Sequence, residues 1–210
     1  LSSGALTTTN FNSGVLNIRR FTQTNPVANS TFNPVTFESE SSNFQGDFNV
    51  NATTISFLGG SSFAGNNSFI SAGQMNMVTG GNLFSNPGNT TILTRNGGPA
   101  AVVWGPGNTF GTLVLTDNSA QNLTMQGGNI FGPATIINNG NKLVRLANTQ
   151  GDTFASTSTF INNGTNTFEI ARAGINLFGD DITINNLNAG GTMNFGINGG
   201  TSTLISGGFL

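Results

Sequence analysis

Apolar residues in this chain come in short bursts at every second position, and polar residues fill the spaces between bursts. One series of bursts is Leu113/Leu115, Ile136, Phe160 and Ile182/Ile184; a second follows about eight to ten residues later, at Met75/Met77, Leu123/Met125, Leu143 to Leu146, Phe168/Ile170 and Met193/Phe195. A spacing of two predicts strands that bury one face, whereas an amphipathic helix needs spacings of three and four, which do not recur here. Between bursts stand phrases such as "INNGN", "INNGT" and "INNLNAGG", whose Asn and Gly tolerate the backbone conformations of tight turns. Each unit therefore reads as three short strands separated by turns.

The units repeat. Short phrases end on Phe63, Phe84, Phe110, Phe131, Phe154 and Phe178, at intervals of 21, 26, 21, 23 and 24 residues. One such unit cannot bury its apolar residues alone, but units stacked on one another make a continuous core. The expected fold is an all-β solenoid of the parallel β-helix type, with coils of about 21–24 residues and those six phenylalanines stacked along the axis. Asn138/Asn139, Asn162/Asn163 and Asn185/Asn186 appear at equivalent places in three consecutive units and are read as a ladder of amides at a corner. Residues 61–210 form the regular part. Residues 1–60 are less regular: Phe11 and Phe32 keep the interval, and "NPVTFESESSNFQGDF" breaks it. No linker divides the two parts, so one continuous domain is expected. The opening "LSSGAL" and closing "GGFL" read as cuts through a longer chain.

Composition narrows what such a rod could do. Only 7% of the residues are charged, the net charge is −2, and Asn is commoner even than the 30 glycines. No basic footprint for nucleic acid exists, and no apolar run approaches the ~20 residues of a membrane span. The chain has no Cys and no His, which excludes disulfides, thiolate metal sites and catalysis that depends on either residue.

At "KLVRLANTQGDTF", "FINNGTNTFEIA" and "MNFGINGGTSTLISGG" the text resembles the repeat region of very large surface proteins that Bacteroidetes secrete by the type IX pathway. The resemblance is clearest over residues 108–208 and looser over 61–107. It implies an extracellular, cell-surface location and a structural or adhesive function in a fibre, and it implies no catalytic residue.

Each candidate for chemistry in the sequence has a plainer structural reading. Glycoside hydrolysis needs two carboxyl groups facing each other across a sugar, but Asp180 and Asp181 are neighbours that a strand would point apart. Asp152 stands where Asn129 and Asn176 stand in adjoining units and reads as a turn-capping variant. Glu169 alternates with Phe168 and Ile170, so it points outward toward Arg145 or Arg172. The eight acids are too scattered for the 6–8 oxygen ligands of calcium. A regular Thr array for ice is not evident. Trp104 is the one Trp; it reads as core or inter-chain packing, with contact to a sugar face as the alternative. Arg19/Arg20 read as a solvated or interface pair. The expectation is a non-enzymatic extracellular structural or adhesive module without cofactor or metal. Its partners would be copies of itself, further repeats or surface glycans. A carbohydrate-binding or carbohydrate-cleaving β-helix is the alternative.

Overall fold

The computed structural model describes residues 15–19, 22–23, 30–32, 34, 36–84 and 88–208. Phe11 and Arg20 lie outside the described residues. Every regular element among them is a strand and none is a helix. Strands pair in parallel with the strand one repeat earlier and one repeat later: Thr112–Asp117 with Ala134–Asn138, that with Ser158–Asn162, and that with Ile182–Asn186. A strand can pair in parallel with its own repeat only if the chain circles and returns one strand spacing higher, ~4.8 Å. The fold is a parallel β-solenoid with three sheets along its sides. Among the described residues they hold ten, nine and five strands; the nine-stranded sheet carries the phenylalanine steps.

Alternation decides which residues fill the tube. In Thr112–Asp117 the residues Leu113 and Leu115 point in, while Thr112, Val114 and Thr116 are partly exposed. The phenylalanines meet ring to ring: Phe63–Phe84 at 5.1 Å, Phe84–Phe110 at 5.1 Å, Phe110–Phe131 at 5.3 Å, Phe131–Phe154 at 4.7 Å and Phe154–Phe178 at 5.0 Å, all within 14° of parallel. These separations follow the strand spacing, which fixes the rings in stacked order. Phe44, from the stretch whose spacing departs from the rest, stacks on Phe63 at 4.8 Å. The long interval from Phe84 to Phe110 leaves the stack undisturbed. Phe84 pairs with Phe110 and Thr90 with Thr112, so the additional residues fall mainly between Phe84 and Thr90.

In two coils the expected three short strands are instead two, because one long strand rounds a corner. Phe48–Gly59 pairs through its first half with Asn67–Ser71 and through its second with Gln74–Met77, with a register shift between Ala52 and Thr54. The sequence "FNVNATTISFLG" has no internal Gly or Pro to interrupt extended backbone, whereas its partner "NSFISAGQMNM" stays extended through Gly73.

Glycine stands just before most of the Phe steps, although Ser41 and Ile175 hold the same position before Phe44 and Phe178. Gly81, Gly107 and Gly128 have φ of +78°, +79° and +67°, a left-handed conformation that other L-residues reach at a cost. Gly151 occupies the same position for another reason: a Cβ there would overlap the carbonyl oxygen of Ile175 in the next coil. Gly151→Ala is expected to destabilise the rod by ~1–3 kcal/mol, the range for overpacking, with lost amide protection centred on Ile175. A melting temperature equal to that of the parent protein would show that the coils are not in such close contact.

Candidate functional site: the amide columns

The most ordered polar features lie inside the solenoid and at its corners, and they account for much of the Asn excess. The innermost column contains the residue two places before each Phe: Asn82, Asn108, Asn129, Asp152 and Asn176, all essentially buried. The side-chain oxygen of each accepts from the main-chain N–H of the residue one coil earlier: Asn82 to Asn108 at 3.3 Å, Asn108 to Asn129 at 3.1 Å, Asn129 to Asp152 at 2.9 Å and Asp152 to Asn176 at 2.9 Å. The amide nitrogens of Asn82, Asn108 and Asn129 donate to the same acceptors. Main-chain groups at this narrow corner, which strand pairing alone would leave without partners, are satisfied by side chains. The sequence marks the column through its Asn-x-Phe step, although Asn in such phrases is ordinarily read as a turn residue.

A second column runs where the long sheet ends. Asn138 Nδ2 donates to Asn162 Oδ1 at 2.9 Å, and Asn162 Nδ2 to Asn186 Oδ1 at 3.2 Å. Outside it, Asn163 donates to Asn139, Asn139 to Asn118 and Asn118 to Asn96, each at 2.7 Å. Asn138, Asn139, Asn162, Asn163 and Asn186 thus lie in two parallel columns: Asn138 and Asn162 are buried in the inner one, which ends on the exposed Asn186, and Asn139 and Asn163 stand in the exposed outer one. Asn185 requires a correction. It pairs with Ile161 on the outward side of its strand, because Ile182 and Ile184 take the inward positions and alternation then turns Asn186 inward.

Further along the inner corner column stands an ion pair. Arg95 pairs in register with Asp117, and Asp117 with Asn138. Arg95 Nε and Nη2 donate to the two carboxylate oxygens of Asp117 at 2.9 and 2.8 Å, and Nη2 also donates to the Gln121 carbonyl. Both residues are buried, and Arg95 Nη1 has no hydrogen-bond partner.

Trp104 packs in the core, as preferred from the sequence, and the alternative of a surface contact is corrected. Its ring is fully buried and its indole N–H donates to the Met75 carbonyl at 2.8 Å. In Val102–Trp104 the inward positions are Val102 and Trp104, leaving Val103 exposed.

The remaining charges fall into small groups. Glu169 Oε2 meets both Arg145 Nε and Arg172 Nε at 2.8 Å. Asp180 Oδ1 accepts from the N–H of Asp181, whose own Oδ1 accepts from the N–H of Gly208. Arg19 belongs to the strand Val15–Arg19, which pairs in parallel with Thr36–Glu40. Among the described residues no three Asp, Glu, His or Cys gather where they could hold a metal ion. Asp152 differs from the rest: burial pushes its carboxyl up from 3.8 to about 7, against the opposing hydrogen bonds from Asn129 and the backbone of Ala147.

The outward side of the long sheet presents aligned rows without a charge. One runs Ser68, Ile92, Val114, Thr135, Thr159, Thr183 and the next Ile70, Thr94, Thr116, Ile137, Ile161, Asn185. Hydroxyls and branched aliphatic side chains at strand spacing can make many weak contacts along an extended partner. Comparison of the chain with known protein families, curated proteins and solved structures finds no match.

Proposed function

We propose that this solenoid is a structural module of an extracellular, cell-surface fibre, and that it works by stacking rather than by catalysis. One observation carries the reading: aromatic, amide and aliphatic columns all run parallel to the same axis, so each coil is built to receive another. The last rung repeats the design. Ile184, Met193, Phe195 and Leu204 continue four inward columns and are only partly buried. A coil added there, from the same chain or a second copy, would bury apolar surface at roughly 25 cal/mol per Å² and pair an open strand edge.

Adhesion is the companion role. Uncharged rows of Thr and Ile suit repeated weak contacts with glycans or neighbouring fibres, in which multiplicity supplies strength that one coil lacks. The resemblance of residues 108–208 to secreted Bacteroidetes surface repeats supports the extracellular setting. Deleting the repeat region from the parent cell separates the two roles. Electron microscopy is expected to show loss or shortening of a thin fibre, and a glycan array with the isolated module reads adhesion. An intact fibre together with normal attachment would overturn both roles. Release of reducing sugars by the module would favour a carbohydrate-cleaving solenoid instead.

A further inference from the structure

The buried column has one occupant that cannot use its slot as its neighbours do. Asn82, Asn108 and Asn176 each present an oxygen to one neighbouring group and an NH2 to another: Nδ2 donates to the carbonyl three residues earlier, at Thr79 (3.1 Å), Gly105 (3.0 Å) and Ala173 (3.1 Å). Asp152 fills the same slot. Its Oδ1 takes the N–H and the Nδ2 of Asn129 at 2.9 and 3.1 Å, as an Asn oxygen would. Its Oδ2 takes the place of the donating NH2 and is buried with no partner. A carboxylate has acceptors only, whereas a neutral acid has one O–H to give.

We propose that Asp152 enters the folded column as the neutral acid, its Oδ2–H standing in for an amide N–H, and that loss of this proton loosens the rod at one joint, between the coils of Phe131, Phe154 and Phe178. The groups around the carboxyl fit a neutral occupant. Asn129 from the coil before and Asn176 from the coil after are amides, and the backbone N–H of Ala147, which favours the charged form, is outweighed by burial. The charged residues of the neighbouring third sheet, Arg145, Glu169 and Arg172, are engaged with one another, and Arg172 also with Asn148. No ion pair includes Asp152 among the described residues. Burial raises its pKa to about 7, so the folded protein holds a proton that the unfolded chain has already released above about pH 4. Where the folded state binds more protons, stability falls as pH rises. The contribution is therefore complete below the ordinary carboxyl range, declines toward pH 7, and is level above it. Because coils interact chiefly with their neighbours, the loosening is confined to this joint.

The test compares unfolding midpoints of the parent protein and Asp152→Asn from about pH 5 to about pH 8. The parent midpoint is expected to fall across that window while the variant, with a permanent donor in the slot, stays level and lies above the parent at the alkaline end. Parallel curves would overturn the proposal. The parent protein alone supplies a second readout, whether or not the variant folds. The Asp152 Cγ resonance should titrate with a midpoint near 7; titration in the ordinary carboxyl range would overturn the proposal equally.

Discussion

Asp117→Asn is expected to destabilise the solenoid by ~3–5 kcal/mol, the cost of leaving a buried charge without its partner. Arg95 is fully enclosed, and Asp117 is the carboxylate that neutralises it. The substitution is nearly isosteric and keeps an oxygen for the Ser119 N–H that Asp117 Oδ1 now accepts at 3.1 Å. The loss therefore reports charge rather than shape. Pairing it with Arg95→Met separates the two sides of the interaction. Met retains much of the volume of the Arg stem, and the amide at position 117 can extend the column toward Asn138. Buried ion pairs exchanged for well-packed neutral groups are often neutral or more stable, so the double variant is expected to recover most of the loss. Urea titration of the parent, the two single variants and the double variant measures the coupling. Additive losses would mean that the two side chains do not act as a pair.

The position of Arg95 also shows where pattern and chemistry conflict in the sequence. In "TTILTR" the period of two places Thr91, Leu93 and Arg95 on the same side, and all three are buried. Alternation alone would have turned Arg95 inward; the general rarity of buried charge argues the other way. The same contest explains Asn185. Aligning "INN" with "INN" by identity puts it in the corner column, whereas counting inward positions from Ile182 puts it outside. Outward slots accept Ile and Asn alike, as Ile137, Ile161 and Asn185 show, so identity there carries little information about register.

The phenylalanine stack was legible because bulky aromatics recur at nearly constant intervals and have few other places to go. The buried amide column was harder to read, since Asn is the usual residue of exposed turns and the burial that makes Asp152 unusual appears only when coils are superimposed. Trp104 leaves two readings open, and the core packing preferred from the sequence is the one the structure shows. A lone Trp in an uncharged protein suggests a sugar platform, but its place two residues after Val102 on a short strand sends it into the tube.

Phe131 lies at the middle of the stack, and its replacement by Asp should divide the rod. The ring is fully buried between Phe110 and Phe154, 5.3 and 4.7 Å away. Removing a Phe from such a core costs ~3–5 kcal/mol in the Ala case, and a carboxylate placed there has no partner and loses its hydration as well. The Asp variant is therefore expected to be the less stable of the two. The damage should also be local, because stability in a stacked repeat is a sum of coil terms and nearest-neighbour terms. Hydrogen exchange is expected to lose protection first in Thr112–Asp117, Ala134–Asn138 and Ser158–Asn162. Coils built around Phe44 and Phe63 should retain more of theirs. Phe131→Leu keeps an apolar filling and should fall between the parent and Phe131→Ala. An unchanged melting temperature for Phe131→Asp would remove the stack as a source of stability. Uniform loss of protection from Phe37 to Phe178 would instead show that the coils unfold as one unit, with no separable joints along the axis.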